Sequence, residues 1–273
     1  MVTKNKLMYF LLAPLLALGM SQAARADVVN VWSIGIGGSL SAPINSFYNL
    51  LPGHSSSVIS GSLDSNDLTG VSLLWVVQPP SLLTLAEIST LSAFLADGGR
   101  IAFMGEHGNG LANTENNNIS AAVTALGGNM TILNNSAQDA GFRIATRVGG
   151  QILDHSLTNG VDTYEYAYFA PLIIISPPAE ALMLGTDLTS VMMSFENIGP
   201  GSIFMITDQN VLNFSGDVDN DVMFENLLTG TTGAPPPVAA TPATPVPTLS
   251  QWALIMLSML FGLMVVANRK RLF

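Results

Sequence analysis

The stretch Gly105-Glu106-His107-Gly108 sets a carboxylate beside an imidazole, between glycines, just after the apolar run Arg100 to Met104. A second acid–imidazole pair, Asp154-His155, opens the stretch DHSLTNG. Two imidazoles with carboxylates suit Zn²⁺ or Fe²⁺. Glu106, His107, Asp154 and His155 are therefore candidate ligands, and Glu106, His107 and His155 the candidate catalytic groups of a metal-assisted hydrolase. No H-x-x-x-H spacing supports that chemistry. The plain alternative is two loop histidines, one of them bonded to backbone. His54, beside Pro52-Gly53, reads as a surface turn residue.

A third constellation is GDVDND, where Asp217, Asp219 and Asp221 alternate. Alternating carboxylates suit a divalent cation such as calcium. A helix-loop-helix calcium loop, however, needs Gly at its sixth position and Glu at its twelfth, and Val222 and Leu228 stand there. The same carboxylates would also serve at a helix start, where they cap N–H groups and meet the positive end of the dipole. IGIGGSL, with Gly35, Gly37 and Gly38, is similar to a phosphate loop but lacks the G-x-G-x-x-G spacing. Tyr164, Tyr166, Tyr168 and Phe169 read first as one face of a strand and second as a sugar-stacking platform. The amides of Asn113 to Asn118 and of Asn134-Asn135 read as polar loop tips.

These groups need a scaffold to position them. VVNVWSIGIG (28–37), SVIS, SLLWVVQ (72–78), RIAFMGE (100–106), MTIL, PLIII, VMMSF and SIFMITD (202–208) read as strands, several apolar on both faces as in a buried parallel sheet. Helices are expected from Ser41 to Leu51, with Pro43 in the first turn, and from Leu82 to Ala96, with Leu85, Ile88, Leu91 and Leu95 on one face. Two more are expected at Ile119 to Leu126 and from about Asp219 to Leu228. Alternating strands and helices predict a three-layer α/β sandwich on a mostly parallel sheet, with antiparallel pairing among the strands from Tyr164 to Phe204. In such folds ligands collect at the carboxyl ends of the strands, which selects GIGGS, GEHGNG, DHSLTNG and TDQNVLN (207–213).

The two ends read as targeting segments. Residues 1–26 combine Lys4 and Lys6, a short apolar run and Ala24-Arg25-Ala26, the pattern of a cleaved secretory signal peptide. Residues 230–247, GTTGAPPPVAATPATPVP, are uncharged and proline-rich, a semi-rigid stalk. The apolar run from Trp252 to Ala267 is followed at once by Arg269, Lys270 and Arg271, which predicts one membrane helix with its basic end in the cytoplasm. Between these ends, residues 27–229 hold only Arg100, Arg143 and Arg147 against all 19 acidic residues, a formal charge of −16. A surface that acidic repels nucleic acid. With no cysteine in the chain, disulfides and thiol nucleophiles are excluded.

Two resemblances add to this. IAFMGEHGNG, with the helix at Ser41 to Leu51 and the closing DQNVLN and DNDVMFENLL, resembles the class I glutamine-amidotransferase-like fold, related in architecture to flavodoxin-like sheets. That family carries a catalytic Cys at the elbow, with His and Glu completing a triad. Here Glu106 and His107 occupy the elbow, so amidotransferase activity is not expected. VPTLSQWALIMLSML resembles the IPTL-CTERM sorting signal. Pro247, Thr248, Leu249, Trp252 and the Arg269, Lys270, Arg271 cluster match it, while Val246 and Ala253 replace the usual Ile and Gly. The resemblance implies a Gram-negative source, the secretory translocon, signal peptidase and an exosortase-type membrane peptidase as partners, and delivery to the surface or matrix; extracellular polysaccharide is a further candidate partner. The leading expectation is thus an exported, non-catalytic ectodomain with no cofactor. The alternatives are the hydrolase above and a calcium-responsive adhesion module using Asp217, Asp219 and Asp221.

Overall fold

The computed structural model describes residues 27–33, 38–108, 110, 112–134, 136–212 and 218–229. The expected signal peptide, stalk and membrane helix, with every residue of the expected sorting motif, lie outside them. Among the described residues no helix is long and apolar enough to cross a membrane.

Five strands form a parallel half-sheet: β1 (Val28–Ser33), β2 (Ser55–Ile59), β3 (Leu73–Val77), β4 (Arg100–Met104) and β11 (Gly201–Ile206). Their spatial order, β2-β1-β3-β4-β11, is the doubly-wound order of flavodoxin-type sheets. Beyond β11 the sheet turns antiparallel through β10 (Val191–Ile198), β8 (Leu172–Ile174) and β5 (Met130–Ile132), and β9 (Glu180–Leu184) also pairs with β10. The expected antiparallel pairing of the later strands is therefore present. Two further strands, β6 (Arg143–Thr146) and β7 (Thr163–Tyr166), form a separate ribbon.

Helices cover both faces. On one face α1 (Gly38–Leu50) and α4 (Asn220–Thr229) pack Ile44, Tyr48, Met223 and Phe224 against Leu73, Trp75 and Val77 of β3. On the other, α2 (Leu85–Ala96) and α3 (Asn113–Ala125) pack Leu91, Phe94, Ile119 and Val123 against Leu74, Val76, Ile101 and Phe103. Because successive strand side chains point to opposite faces, a strand between two helical layers must be apolar throughout. All five residues of β3 and of β4 are buried, and all are apolar except Arg100 at the start of β4.

The helix starts correct the sequence expectations in detail. α1 begins at Gly38 rather than Ser41, which puts Pro43 inside the helix at the loss of one backbone bond. α2 begins after Thr84, whose side chain accepts from the N–H of Glu87 while Glu87 bonds back to the N–H of Thr84. That reciprocal cap satisfies two otherwise orphaned donors and sets the start three residues later than apolar spacing alone suggests. α3 begins at Asn113, so the asparagine run expected to be a loop is helical.

Candidate functional site

The carboxyl ends of β3, β4 and β11 lie side by side, so the residues that follow them meet at one edge of the sheet. Gly105 continues β4, its N–H donating to the carbonyl of Ile206 at 2.8 Å. A Cβ at Gly105 would come within 2.5 Å of Oδ1 of Asn116, so a side chain here would displace the Asn116 amide. Asn116 holds the next residue: its Oδ1 accepts from the N–H of Glu106 at 3.1 Å, and its Nδ2 donates to the Glu106 carbonyl at 2.7 Å. Asn118, two residues on, donates to the carbonyl of Pro79 after β3, at 2.9 Å. Such long-range side-chain bonds give this asparagine-rich segment a reason to be helical that local propensity lacks.

The Glu106 side chain is buried, and both its oxygens accept backbone N–H groups, from His107 at 2.8 Å and from Gln209 at 3.1 Å. Asp208, fully buried at the end of β11, is bonded in the same way: it accepts from Ala167 at 2.6 Å and from Asn210 at 2.7 Å. Burial pushes the Glu106 carboxyl up to about 7, with the charge of Asp208 adding to the rise and the two N–H bonds opposing it. Burial likewise raises Asp208 to about 6 against its backbone bonds and the nearby His107.

Nε2 of His107 lies 3.7 Å from Oε1 of Glu106, and its Nδ1 is 2.9 Å from the carbonyl of Gly108. The ring tilts against Tyr168, with centroids 5.4 Å apart, and Tyr168 is 39% exposed. Gln78, the residue after β3, completes the edge. Its φ of 42° is a left-handed conformation that a non-glycine residue holds only under constraint. The constraint is visible: its N–H donates to the carbonyl of Met104 at 3.0 Å, and its amide donates to Oε1 of Gln209 at 3.1 Å.

His155 and Asp154 do not join this group. His155 accepts from the N–H of Leu157 through Nδ1 and packs against Phe195, whose ring also lies under the Arg100 guanidinium. Arg100 opens β4 and Glu106 follows its end. At about 3.3 Å per residue, some 20 Å of strand separates them. His155 thus belongs to the opposite edge of the sheet. Burial, with a smaller effect of Arg100, holds its pKa below the usual value although Glu180 opposes the shift. Asp154 is 93% exposed and bonds to Arg147 at 2.7 Å. Among the described residues no group of three or more His, Asp or Glu side chains is arranged to hold a metal ion.

The aspartate cluster also has other partners. Oδ2 of Asp219 accepts from the N–H groups of Asp162 and Thr163 and from the Thr163 hydroxyl, clipping the start of α4 to β7. Asp221 accepts from the N–H of Val222 at the helix start, and Asp217 lies outside the described residues. Tyr164 and Tyr166 face the core and Tyr168 does not, so the aromatic series is mainly a packed strand face. The sequence reading selected the strand-end stretches but singled out none of Gln78, Asp208 and Gln209. Their only signal was position, directly after β3 and β11.

At the other end of the chain, residues 244–271 match the family description IPTL-CTERM motif. Pro247, Thr248, Leu249, Trp252, Arg269, Lys270 and Arg271 all fall within it. No curated protein sequence matches the chain. The fold is similar to the mmIFT52 N-terminal domain at 17% identity and a TM-score of 0.57, over 76% of this chain and 100% of that one. It is also similar to cytoplasmic protein STM1381 of Salmonella typhimurium LT2 at 9% identity and a TM-score of 0.55, over 74% of this chain and 98% of that one. Cytoplasmic protein STM3548 of Salmonella typhimurium follows at 10% and 0.53, over 74% and 98%. Identities this low establish a shared fold and nothing about activity.

Proposed function

We propose that the chain is exported through the secretory translocon, freed of its signal peptide, held in the inner membrane of a Gram-negative cell by its tail, and cut there by an exosortase-type peptidase. What reaches the surface or extracellular matrix is an acidic ectodomain of the glutamine-amidotransferase-like kind without catalytic machinery, with extracellular polysaccharide as its partner. The observation that carries this reading is the IPTL-CTERM motif at residues 244–271. A temporary membrane helix of this kind holds a substrate beside its processing enzyme, and the basic cluster fixes its orientation.

The sheet edge supports the non-catalytic part. Both oxygens of Glu106 and both of Asp208 accept backbone N–H groups, which suits carboxylates that build loops. The chain has no cysteine nucleophile, and His155 stands away from Glu106 and His107. Asp219 is taken up by β7, so the calcium reading has gained no support.

The sorting claim is tested by replacing Trp252 and Thr248 with alanine together and following the protein by mass and cell fraction. The variant is expected to accumulate in the membrane fraction as a precursor that keeps its tail, while the wild type loses the tail and leaves that fraction. A variant processed as completely as the wild type would overturn the reading.

A further inference from the structure

The amino ends of β3, β4 and β11 lie side by side, at the edge of the sheet opposite Glu106. A cavity of about 860 Å³ opens there, between the starts of these strands, the ends of α2 and α4, and the turn Asn66–Leu68. That volume falls in the range of small-molecule sites, roughly 300–1,000 Å³. Its back wall is closely packed. A Cβ at Gly201 would come within 2.5 Å of the Leu95 carbonyl, so the end of α2 rests directly on the first residue of β11. A charged group stands in that wall: Arg100, 7% exposed, donates from Nε to the Ser202 hydroxyl at 3.1 Å, and both side chains line the cavity.

The lining offers both hydrogen-bonding roles. The hydroxyls of Ser65, Thr69, Ser72, Thr90 and Ser202 can donate and accept. Arg100 only donates, and the Asp97 carboxylate only accepts. The last turns of α2 and α4 both reach the cavity, at Asp97 and at Leu227, and helix dipoles present their negative ends there. Leu68, Val71 and Phe94 add apolar surface between the polar groups. An anion would meet Asp97 and two helix C-termini, and a cation would meet the buried guanidinium. A neutral polyol meets neither penalty. Its hydroxyls donate to the acceptors and accept from the donors, while its C–H face covers the apolar side chains.

We propose that this cavity is a binding site for a neutral sugar. The source of such a sugar rests on the polysaccharide reading above; its chemistry is set by the lining alone. The side-chain hydroxyls hold the rim of the sugar ring, and Asp97 and Arg100 together select against charge of either sign. The site is separate from the carboxyl edge and uses neither Glu106 nor His107.

Methyl NMR spectra of the full-length chain, in a zwitterionic detergent that carries no sugar, test the site. The probes are glucose, galactose and mannose, with glucuronate as the anion and putrescine as the cation. At least one neutral hexose is expected to shift the methyls of Leu68, Val71 and Leu227 saturably, while those of Val58 and Leu133, exposed elsewhere, stay still. Glucuronate and putrescine should bind at least about tenfold more weakly, because each carries a charge that the lining opposes. In Thr90→Trp, where the indole fills the cavity from α2, hexose affinity should fall by about tenfold or more. No shift with any of the three hexoses in the wild type would overturn the site, and that arm needs no variant to fold. Tighter binding of glucuronate or putrescine would overturn the ligand class. Undiminished hexose binding by a folded Thr90→Trp chain would overturn the location. Co-sedimentation of the wild-type chain with matrix polysaccharide measures the polysaccharide reading separately, and it can succeed where the cavity fails.

Discussion

Replacing Trp75 with alanine should cost about 3–5 kcal/mol of folding stability, the range for deleting a large buried aromatic side chain. Trp75 sits at the centre of β3 with no exposed surface. It stacks on Phe224 of α4 with centroids 5.2 Å apart and planes 10° from parallel, and it meets Phe204 of β11 edge-on at 6.1 Å. Its indole N–H donates to the Tyr48 hydroxyl at 3.2 Å, and that hydroxyl donates to the carbonyl of Phe224 at 2.9 Å. One side chain therefore joins the central strand to both helices of its layer. Domains of this size hold a net stability of roughly 5–15 kcal/mol, so the loss is a large part of the whole. The measurement is a urea unfolding curve followed by tryptophan fluorescence and far-UV circular dichroism. Tyr48→Phe, which keeps the ring and removes only the hydroxyl, should cost about 1–2 kcal/mol. If Trp75→Ala cost no more than Tyr48→Phe, the layer would not depend on the packing of this ring.

Replacing Arg100 with methionine should cost about 2–4 kcal/mol, the second largest effect expected, because it strips charged donors from buried acceptors. Arg100 donates from Nε to the Ser202 hydroxyl at 3.1 Å, and its terminal nitrogen donates to the carbonyls of Asn226 and Leu227. Those carbonyls belong to the last turn of α4, where the helix dipole presents its negative end and where a cation is favoured. Burial draws the guanidinium pKa down to about 10, with the nearby Tyr48 opposing the shift, so the charge persists at neutral pH. Methionine replaces much of the volume but none of the donors, and the stranded acceptors set the penalty. Arg100→Lys keeps the charge without the planar fork and should fall between methionine and wild type. Equal unfolding midpoints for wild type and Arg100→Met would show that solvent satisfies those carbonyls instead.

The parallel half of the sheet was legible in the sequence because its strands carry a strong, simple signal. SLLWVVQ and RIAFMGE are short apolar runs bounded by turn residues, and they became β3 and β4 almost as read. β6, which no run announced, lies in a ribbon off the main sheet with Ile144 exposed, so it never had to display an apolar pattern. The asparagine run misled because its helicity comes from distant partners: Asn116 grips Glu106, and Asn118 grips the carbonyl after β3. Glu106 and His107 were visible as a strand-end pair. Asp208 was not, because an aspartate before Gln and Asn after a strand looks like any turn, and its burial beside Glu106 is fixed only once β11 pairs with β4. His155 illustrates the converse. Its loop resembled a site in the sequence, yet the chain's path takes it to the edge where Arg100 begins β4.

The most direct test of the sorting claim is the intact mass and cell fraction of this protein in matched strains with and without the cognate exosortase. With the peptidase present, the expected product lacks the chain beyond a cut within or near Pro247 to Trp252 and is found outside the inner membrane. Without it, the expected species keeps Arg269, Lys270 and Arg271 and stays in the inner-membrane fraction. The same mass and the same membrane location in both strains would contradict the account.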